Sequence, residues 1–371
     1  MRASSSALSN GRIIIRVMGD EPRGRRWEPV AALAVLVAVT VTAGTLIAIL
    51  QRPPTTHVPT RPTPAPTPFP FPTVAPTPIP NGPVLGFGFS VADDPAIDRV
   101  VVYGGVDSYN TTWLWDGRGW TLARPRSIPP GRFGAAMAYD PTSRLLMLFG
   151  GRLAPGQVVN DTWGWDGTTW RRLDDGVNGP PPGEFAQMAW DDSRAELVLV
   201  TGAQTTAGGE TWIWAGSHWT REGRGNLSIA PIAGAMAYDP VLGALLLVSP
   251  VPPDGAHSVT LRWYGSTWRV LITSGPAVAG LAVDPQVDAL ILCGAPTSST
   301  QFAGQSEVWQ WTGRAWLPQS GSVTPVAVEA EIEDHDHLQL LIFGSLLSPT
   351  QGAPQPLKVW SLIDGEWLPL G

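Results

Sequence analysis

A tryptophan pair spaced by seven recurs six times along this chain: Trp113/Trp120, Trp163/Trp170, Trp212/Trp219, Leu261/Trp268, Trp309/Trp316 and Trp360/Trp367, with Leu261 standing in for one first member. The second members fall at 120, 170, 219, 268, 316 and 367, so the period runs from 48 to 51 residues. Eleven of the eighteen tryptophans stand in these pairs, and Trp115, Trp165, Trp214, Trp263 and Trp311 lie between the two members. A fixed period near 50 residues means one supersecondary unit repeated, each burying its apolar face only against its neighbours.

Within a period the pattern reads as four strands. In the second repeat, Phe133–Tyr139 forms a first strand ended by Asp140-Pro141. Leu145–Phe149 is a continuous apolar run, as a strand buried on both faces requires, and it stops at Gly150-Gly151. Thr162–Trp165 alternates with period two, turns at Asp166-Gly167, and Thr169–Leu173 closes the unit. The first turn keeps an aspartate at Asp94, Asp140, Asp191, Asp239, Asp284 and Asp334. The last turn keeps a glycine at Gly117, Gly167, Gly216, Gly265, Gly313 and Gly365. The expected fold is all-β, a six-bladed β-propeller of four-stranded blades over 84–371, with tryptophans filling the wedges between sheets. The repeats start with a first strand and end with a fourth, so ring closure is expected to rest on side-chain packing between blades 1 and 6.

Pro129-Pro130-Gly131-Arg132, Met137-Ala138-Tyr139-Asp140, the Gly150-Gly151 pair and the spaced tryptophans resemble a kelch repeat. The double glycine recurs as Gly104-Gly105 but becomes Gly202-Ala203, Ser249-Pro250, Gly294-Ala295 and Gly344-Ser345, where the tight turn is expected to persist on another backbone. Asp166-Gly167-Thr168-Thr169-Trp170 lacks the residue that a sialidase-type Asp box places between Asp and Gly. The resemblance implies four-stranded blades around a channel. Some kelch propellers are copper oxidases with a Tyr–Cys cross-link and two His ligands, and this chain's five tyrosines, single Cys293 and scattered histidines do not supply that set.

The first 83 residues are of another kind. Val30–Leu50 is 21 residues without a charge, about 32 Å as a helix and long enough to span a bilayer. Arg2, Arg12, Arg16, Arg23, Arg25 and Arg26 precede it, whereas only Arg52 and Arg61 follow closely. The positive-inside rule then places residues 1–29 as a basic cytosolic tail and everything after Leu50 outside. A cleaved signal peptide has a shorter apolar region and a small-residue cleavage site; Ile49-Leu50-Gln51-Arg52 offers neither. Residues 51–83 carry 13 prolines and 7 threonines, a composition that buries no core and reads as an extended linker.

Residues 84–371 hold 16 basic and 28 acidic side chains, a net of −12 that argues against a nucleic-acid surface. No Gly-x-Ser-x-Gly elbow or phosphate loop occurs, and no catalytic residue, metal ligand or cofactor is expected. Most aspartates sit in the repeated turns, where Asp caps its own backbone. Glu329, Glu331, Glu333, Asp334, His335, Asp336 and His337 form the richest polar cluster. Glu329, Glu331 and Glu333 alternate along the sixth first strand, so a metal site is geometrically possible, but the histidines read as a solvated turn. Cys293, inside Leu290–Gly294, reads as a buried hydrophobe. The long connections follow the second and fourth strands and open on one end, which collects Arg124, Arg126, Arg132 and Arg152, the candidate ligand-binding residues.

The expectation from sequence is a single-pass membrane protein displaying the propeller outside the cell. Its role is that of a binding module for a protein or glycan, with no nucleic-acid partner. The alternative is an extracellular carbohydrate-active enzyme (hydrolase, lyase or oxidase) working from the long-loop face.

Overall fold

Each group of four apolar pieces folds into one antiparallel sheet whose strands pair in sequence order. Blade 1 comprises Ser90–Asp94, Arg99–Tyr103, Thr112–Trp115 and Trp120–Leu122, and blade 2 comprises Ala136–Asp140, Leu145–Phe149, Thr162–Trp165 and Trp170–Asp174. Blades 3 and 4 run Gln187–Asp191, Glu196–Thr201, Gly209–Trp214, Trp219–Leu227 and Ala235–Asp239, Ala244–Pro250, Ser258–Trp263, Trp268–Gly275. Blades 5 and 6 run Gly280–Asp284, Ala289–Gly294, Glu307–Trp311, Trp316–Val323 and Ala327–Asp334, Gln339–Ser345, Lys358–Ile363, Glu366–Leu370. The computed structural model describes residues 82–370 apart from 85–86, 107–109, 155, 202–208, 228–233, 252–256, 295–305, 325–326 and 346–355. The basic tail, the expected span Val30–Leu50 and nearly all of the Pro/Thr linker lie outside the described residues. Among the described residues no helix is long and apolar enough to cross a membrane.

The first strands form the inner ring. Each packs against the first strands of both neighbours, and blade 6 meets blade 1, which makes a six-bladed propeller. Second strands are the most buried, as Leu145–Phe149 illustrates with no exposed residue. Apolar clusters fill the seams, and the one joining blades 6 and 1 contains Val100, Val102, Trp115 and Trp120 with Leu341, Phe343 and Val359. Closure uses this packing, and one backbone bond adds to it: Leu357 N–H donates to the carbonyl of Pro83 at 2.8 Å.

The repeated turns follow from local chemistry. Five of the six turn aspartates accept a hydrogen bond from a backbone N–H two residues on, or three in blade 6, as Thr142 N–H to Asp140 Oδ1 at 2.9 Å. Asp191 instead accepts from the Ser193 hydroxyl and the Arg194 guanidinium. The last-turn glycines share φ between 82° and 87°, the left-handed region that a side chain resists. At four of the six short turns, the third residue after the turn Asp packs on the last-turn glycine of the next blade: Ile97 on Gly167, Arg194 on Gly265, Leu242 on Gly313, and His337 on Gly117 across the closing seam.

Two expectations need correction. Gly134, at φ 65°, interrupts the first strand of blade 2, so Arg132–Phe133 pairs separately with Arg152–Leu153. The tight turn after the second strand is not kept in blades 4 and 6. Gly104-Gly105 and Gly150-Gly151 both have positive φ, whereas Ser249-Pro250 and Gly344-Ser345 continue the second strand as paired residues. Ser249, Pro250 and Ser345 resist the positive φ that the paired glycines adopt, so the hairpin lengthens there instead of bending.

Candidate functional site

The first strands enclose a central channel of about 800 Å³ that opens at the short-turn end, where Pro95, Pro141, Pro240 and Pro285 form its rim. Counting back from each turn Asp gives its walls. The position two before is Ala92, Ala138, Ala189, Ala237, Ala282 or Ile332. The position three before is Val91, Met137, Met188, Met236, Leu281 or Glu331, and the position immediately before is Asp93, Tyr139, Trp190, Tyr238, Val283 or Glu333. The strand pleat sends alternate residues into opposite seams, and in blades 1 to 5 the residue of one parity is a small alanine. The channel wall is therefore apolar with one buried polar sector, and Asp192 and Asp288 stand exposed at its mouth. Blades 2 to 4 contribute aromatic rings near the mouth, and blades 6 and 1 contribute the carboxyl groups Asp93, Glu331 and Glu333.

These carboxyls are held in place with unfilled hydrogen-bonding capacity. His335 N–H donates to Asp93 Oδ2 at 3.3 Å, and Cys293 N–H donates to Glu331 Oε2 at 3.2 Å. Asp93 Oδ1 and Glu331 Oε1 are buried and have no partner. Burial pushes Asp93 up to about 8; the His335 bond opposes this, and the charges of Asp334, Asp336 and Asp94 add to it. Burial likewise pushes Glu331 up to about 8 against the Cys293 hydrogen bonds, and raises Glu333 despite His335. Asp94 rises to about 7, again mainly by burial. Burial thus favours the acid form of these carboxyls, and a carboxylic acid donates a hydrogen bond where a carboxylate only accepts. The free thiol of Cys293 is fully buried beside Glu331, and burial pushes it well above its ordinary value.

The histidines diverge. His337 Nδ1 lies 2.9 Å from Asp334 Oδ1, which raises its pKa, and its ring packs on Gly117. His335 is exposed, with Nδ1 3.6 Å from Glu333 Oε1. Among the described residues no three His, Cys, Asp or Glu side chains form a group that could hold a metal ion. A bulge between Val328 and Ala330 breaks the strand register at Glu329, so the three glutamates do not form one regular alternation.

The four arginines at the long-loop end have different situations. Arg132 is buried, its guanidinium donating to both Asp161 oxygens at 2.7 and 3.2 Å, to the Gly150 carbonyl at 2.8 Å and to the Pro130 carbonyl at 3.0 Å. Burial works to raise Asp161, but the Arg132 pair outweighs it and holds the carboxyl below its usual range. Arg152 pairs through two nitrogens with Glu184, while Arg124 and Arg126 are exposed. The structure thus uses Arg132 to build the blade 2 loop and leaves Arg124, Arg126 and part of Arg152 facing solvent. Beside them Phe87, Phe133 and Phe185 pack together with centroids 5.7 to 6.4 Å apart, and Phe87 is 59% exposed. Phe185 has φ 56°, an uncommon backbone for a bulky residue, fixed by its N–H donating to the Gly134 carbonyl at 2.6 Å.

Sequence reasoning missed the channel sector, although its signal was present. Aligning the residue before each turn Asp sets Asp93 and Glu333 apart from Tyr139, Trp190, Tyr238 and Val283.

No protein-family model matches this chain, and no curated protein matches it. Solved structures do. The structure of YjhT aligns with TM-score 0.54 at 14% identity, covering 79% of this chain and 99% of that one. The SapL1 lectin in complex with alpha methyl fucoside aligns with TM-score 0.53 at 14% identity, covering 77% and 95%. AofleA from Arthrobotrys oligospora aligns with TM-score 0.51 at 12% identity, covering 77% and 85%. The likeness is one of fold.

Proposed function

We propose that this protein is a membrane-displayed, kelch-like recognition module whose central channel binds a carbohydrate. The observation that carries the reading is the channel's division into two sectors. Aromatic Tyr139, Trp190 and Tyr238 offer faces on which the C–H side of a sugar stacks, and Asp93, Glu331 and Glu333 offer oxygens to its hydroxyls. The buried, unpartnered Asp93 Oδ1 and Glu331 Oε1 gain most from such donors, because an unmade hydrogen bond in a buried site is costly. Among the propellers of similar fold, the SapL1 lectin was solved with alpha methyl fucoside, which is consistent with sugar recognition on this scaffold. Kelch identity rests on the motif around Pro129–Tyr139 and the spaced tryptophans. Display outside the cell rests on Val30–Leu50 and the arginines before it.

The test is a screen of methyl glycosides and short oligosaccharides against the full chain in detergent, read by calorimetry. Binding that is lost in Trp190→Ala and weakened in Asp93→Asn is expected. Binding untouched by both changes moves the site away from the channel, and no binding by any sugar overturns the carbohydrate reading. Turnover of a bound sugar, abolished by Asp93→Asn, would instead favour the enzyme alternative.

A further inference from the structure

Blade 4 departs from the other five at its outer, short-turn corner. Arg262 and Arg269 stand directly opposite each other on its third and fourth strands. Directly opposed residues of adjacent strands project from the same face, and like charges so placed repel. Both guanidinium carbons lie against the ring of Tyr264, at 5.1 and 4.9 Å from its centroid. The two charges are therefore no farther apart than the sum of those distances.

Blade 2 shows what the fold ordinarily does here. Its equivalent pair is Gly164/Arg171, and the single arginine has Asp166, in the turn, 3.8 Å away. Blade 4 adds a second arginine and puts Tyr264 where that aspartate stands. Among the described residues neither Arg262 nor Arg269 has a carboxylate within ion-pair distance. Arg194, packed on the adjacent Gly265, is already paired with Asp191. Arg262 is held in position by donating to the Leu242 carbonyl at 2.9 Å, and Tyr264 and Arg269 are exposed. A propeller whose sequence is net negative thus concentrates two cations at one accessible corner and removes the local counter-ion.

We infer that Arg262, Tyr264 and Arg269 form a binding site for a tetrahedral oxyanion, a phosphate or sulfate group, separate from the central channel. Guanidinium forks match the oxygens of such groups, and the Tyr264 ring keeps both side chains from collapsing away from each other. The anion takes the place of the missing carboxylate and relieves the repulsion across the strand pair.

The experiment measures thermal unfolding of the full chain in detergent with millimolar inorganic phosphate or sulfate, against sodium chloride of equal ionic strength. A higher Tm with either oxyanion is expected for the wild type, since a ligand of the folded state stabilises it. Arg269→Gln should abolish that increment while unfolding at a higher Tm than wild type in chloride, because it removes the repulsion. Arg269 is exposed, so this variant keeps its fold and carries the test without Arg262→Gln. Parallel runs with glucose 6-sulfate and glycerol phosphate distinguish a sulfated sugar from a phosphate ester; either supports the site. Equal increments in wild type and Arg269→Gln, or none in the wild type beyond chloride, overturn it.

Discussion

The indole Nε1–H of Trp170 donates to Thr112 Oγ1 at 3.0 Å across the seam between blades 2 and 1. The same bond joins Trp219 to Thr162 at 2.8 Å, Trp268 to Thr211 at 2.9 Å and Trp316 to Thr260 at 2.9 Å. Each of these four tryptophans is thus tied to the threonine three residues before the last tryptophan of the third strand in the preceding blade. The pattern stops around blade 6. Val308 and Val359 occupy the threonine position, and Trp367 Nε1 is buried without a partner.

Thr112→Val should destabilise the propeller by about 1–2 kcal/mol, because the Trp170 donor is left unsatisfied in a buried seam. Val308→Thr should act in reverse and stabilise by up to about 1 kcal/mol, since it offers Trp367 an acceptor. Val308 and Trp367 already share one cluster. Urea unfolding of both variants checks this; a loss in Val308→Thr equal to that in Thr112→Val would contradict it.

Trp170→Ala should cost about 3–5 kcal/mol, as expected for a buried aromatic replaced by a cavity. Trp170 is fully buried, packs on Trp165 at 5.4 Å and on Tyr103 at 5.2 Å, and holds the Thr112 bond. Because the ring is closed, one cooperative calorimetric transition is expected to move as a whole. Loss of blade 2 ahead of the others would show that the ring does not couple its blades.

Stability should fall as pH rises from about 4 to about 8. Asp93 and Glu331 titrate near 8 in the folded protein, against about 4 when unfolded, so the native state holds more protons in that window. Asp93→Asn and Glu331→Gln should each flatten the slope. An unchanged slope in the double variant would mean that these carboxyls do not titrate as their burial requires.

Acid should weaken the Arg132–Asp161 pair by the opposite sign. Asp161 is held below its ordinary value, so its contribution is present above about 4 and is lost as pH falls through the lower folded value. Asp161→Asn should leave the buried Arg132 charge uncompensated and cost about 3–5 kcal/mol. A variant as stable as wild type at neutral pH would show that the backbone carbonyls of Gly150 and Pro130 suffice for Arg132.

Topology outside the propeller has its own test. An N-terminal tag on intact cells should be protease-protected while residues 84–371 are accessible, because the arginine bias precedes Val30–Leu50. Accessibility of both ends would reverse the expectation.

The period of the tryptophans, the turn aspartates and the φ-positive glycines were legible in the sequence because each answers to a local rule: strand pleat, turn chemistry and steric freedom at Cα. They determined the number of blades and the order of strands. The period does not say which tryptophans meet: those that stack are five apart. Trp165 faces Trp170 across a strand pair, and Trp115, Trp214, Trp263 and Trp311 do likewise with Trp120, Trp219, Trp268 and Trp316. Closing the ring decided the rest. It brought blade 6 against blade 1, which set Asp93 beside His335 although they are 242 residues apart. Arg132, which the sequence had left among exposed loop residues, was buried by the folded loops of blade 2, through Asp161 and the Gly150 and Pro130 carbonyls. Partnerships of that kind depend on which seam a side chain enters, and the seam exists only once six sheets have packed around a common axis.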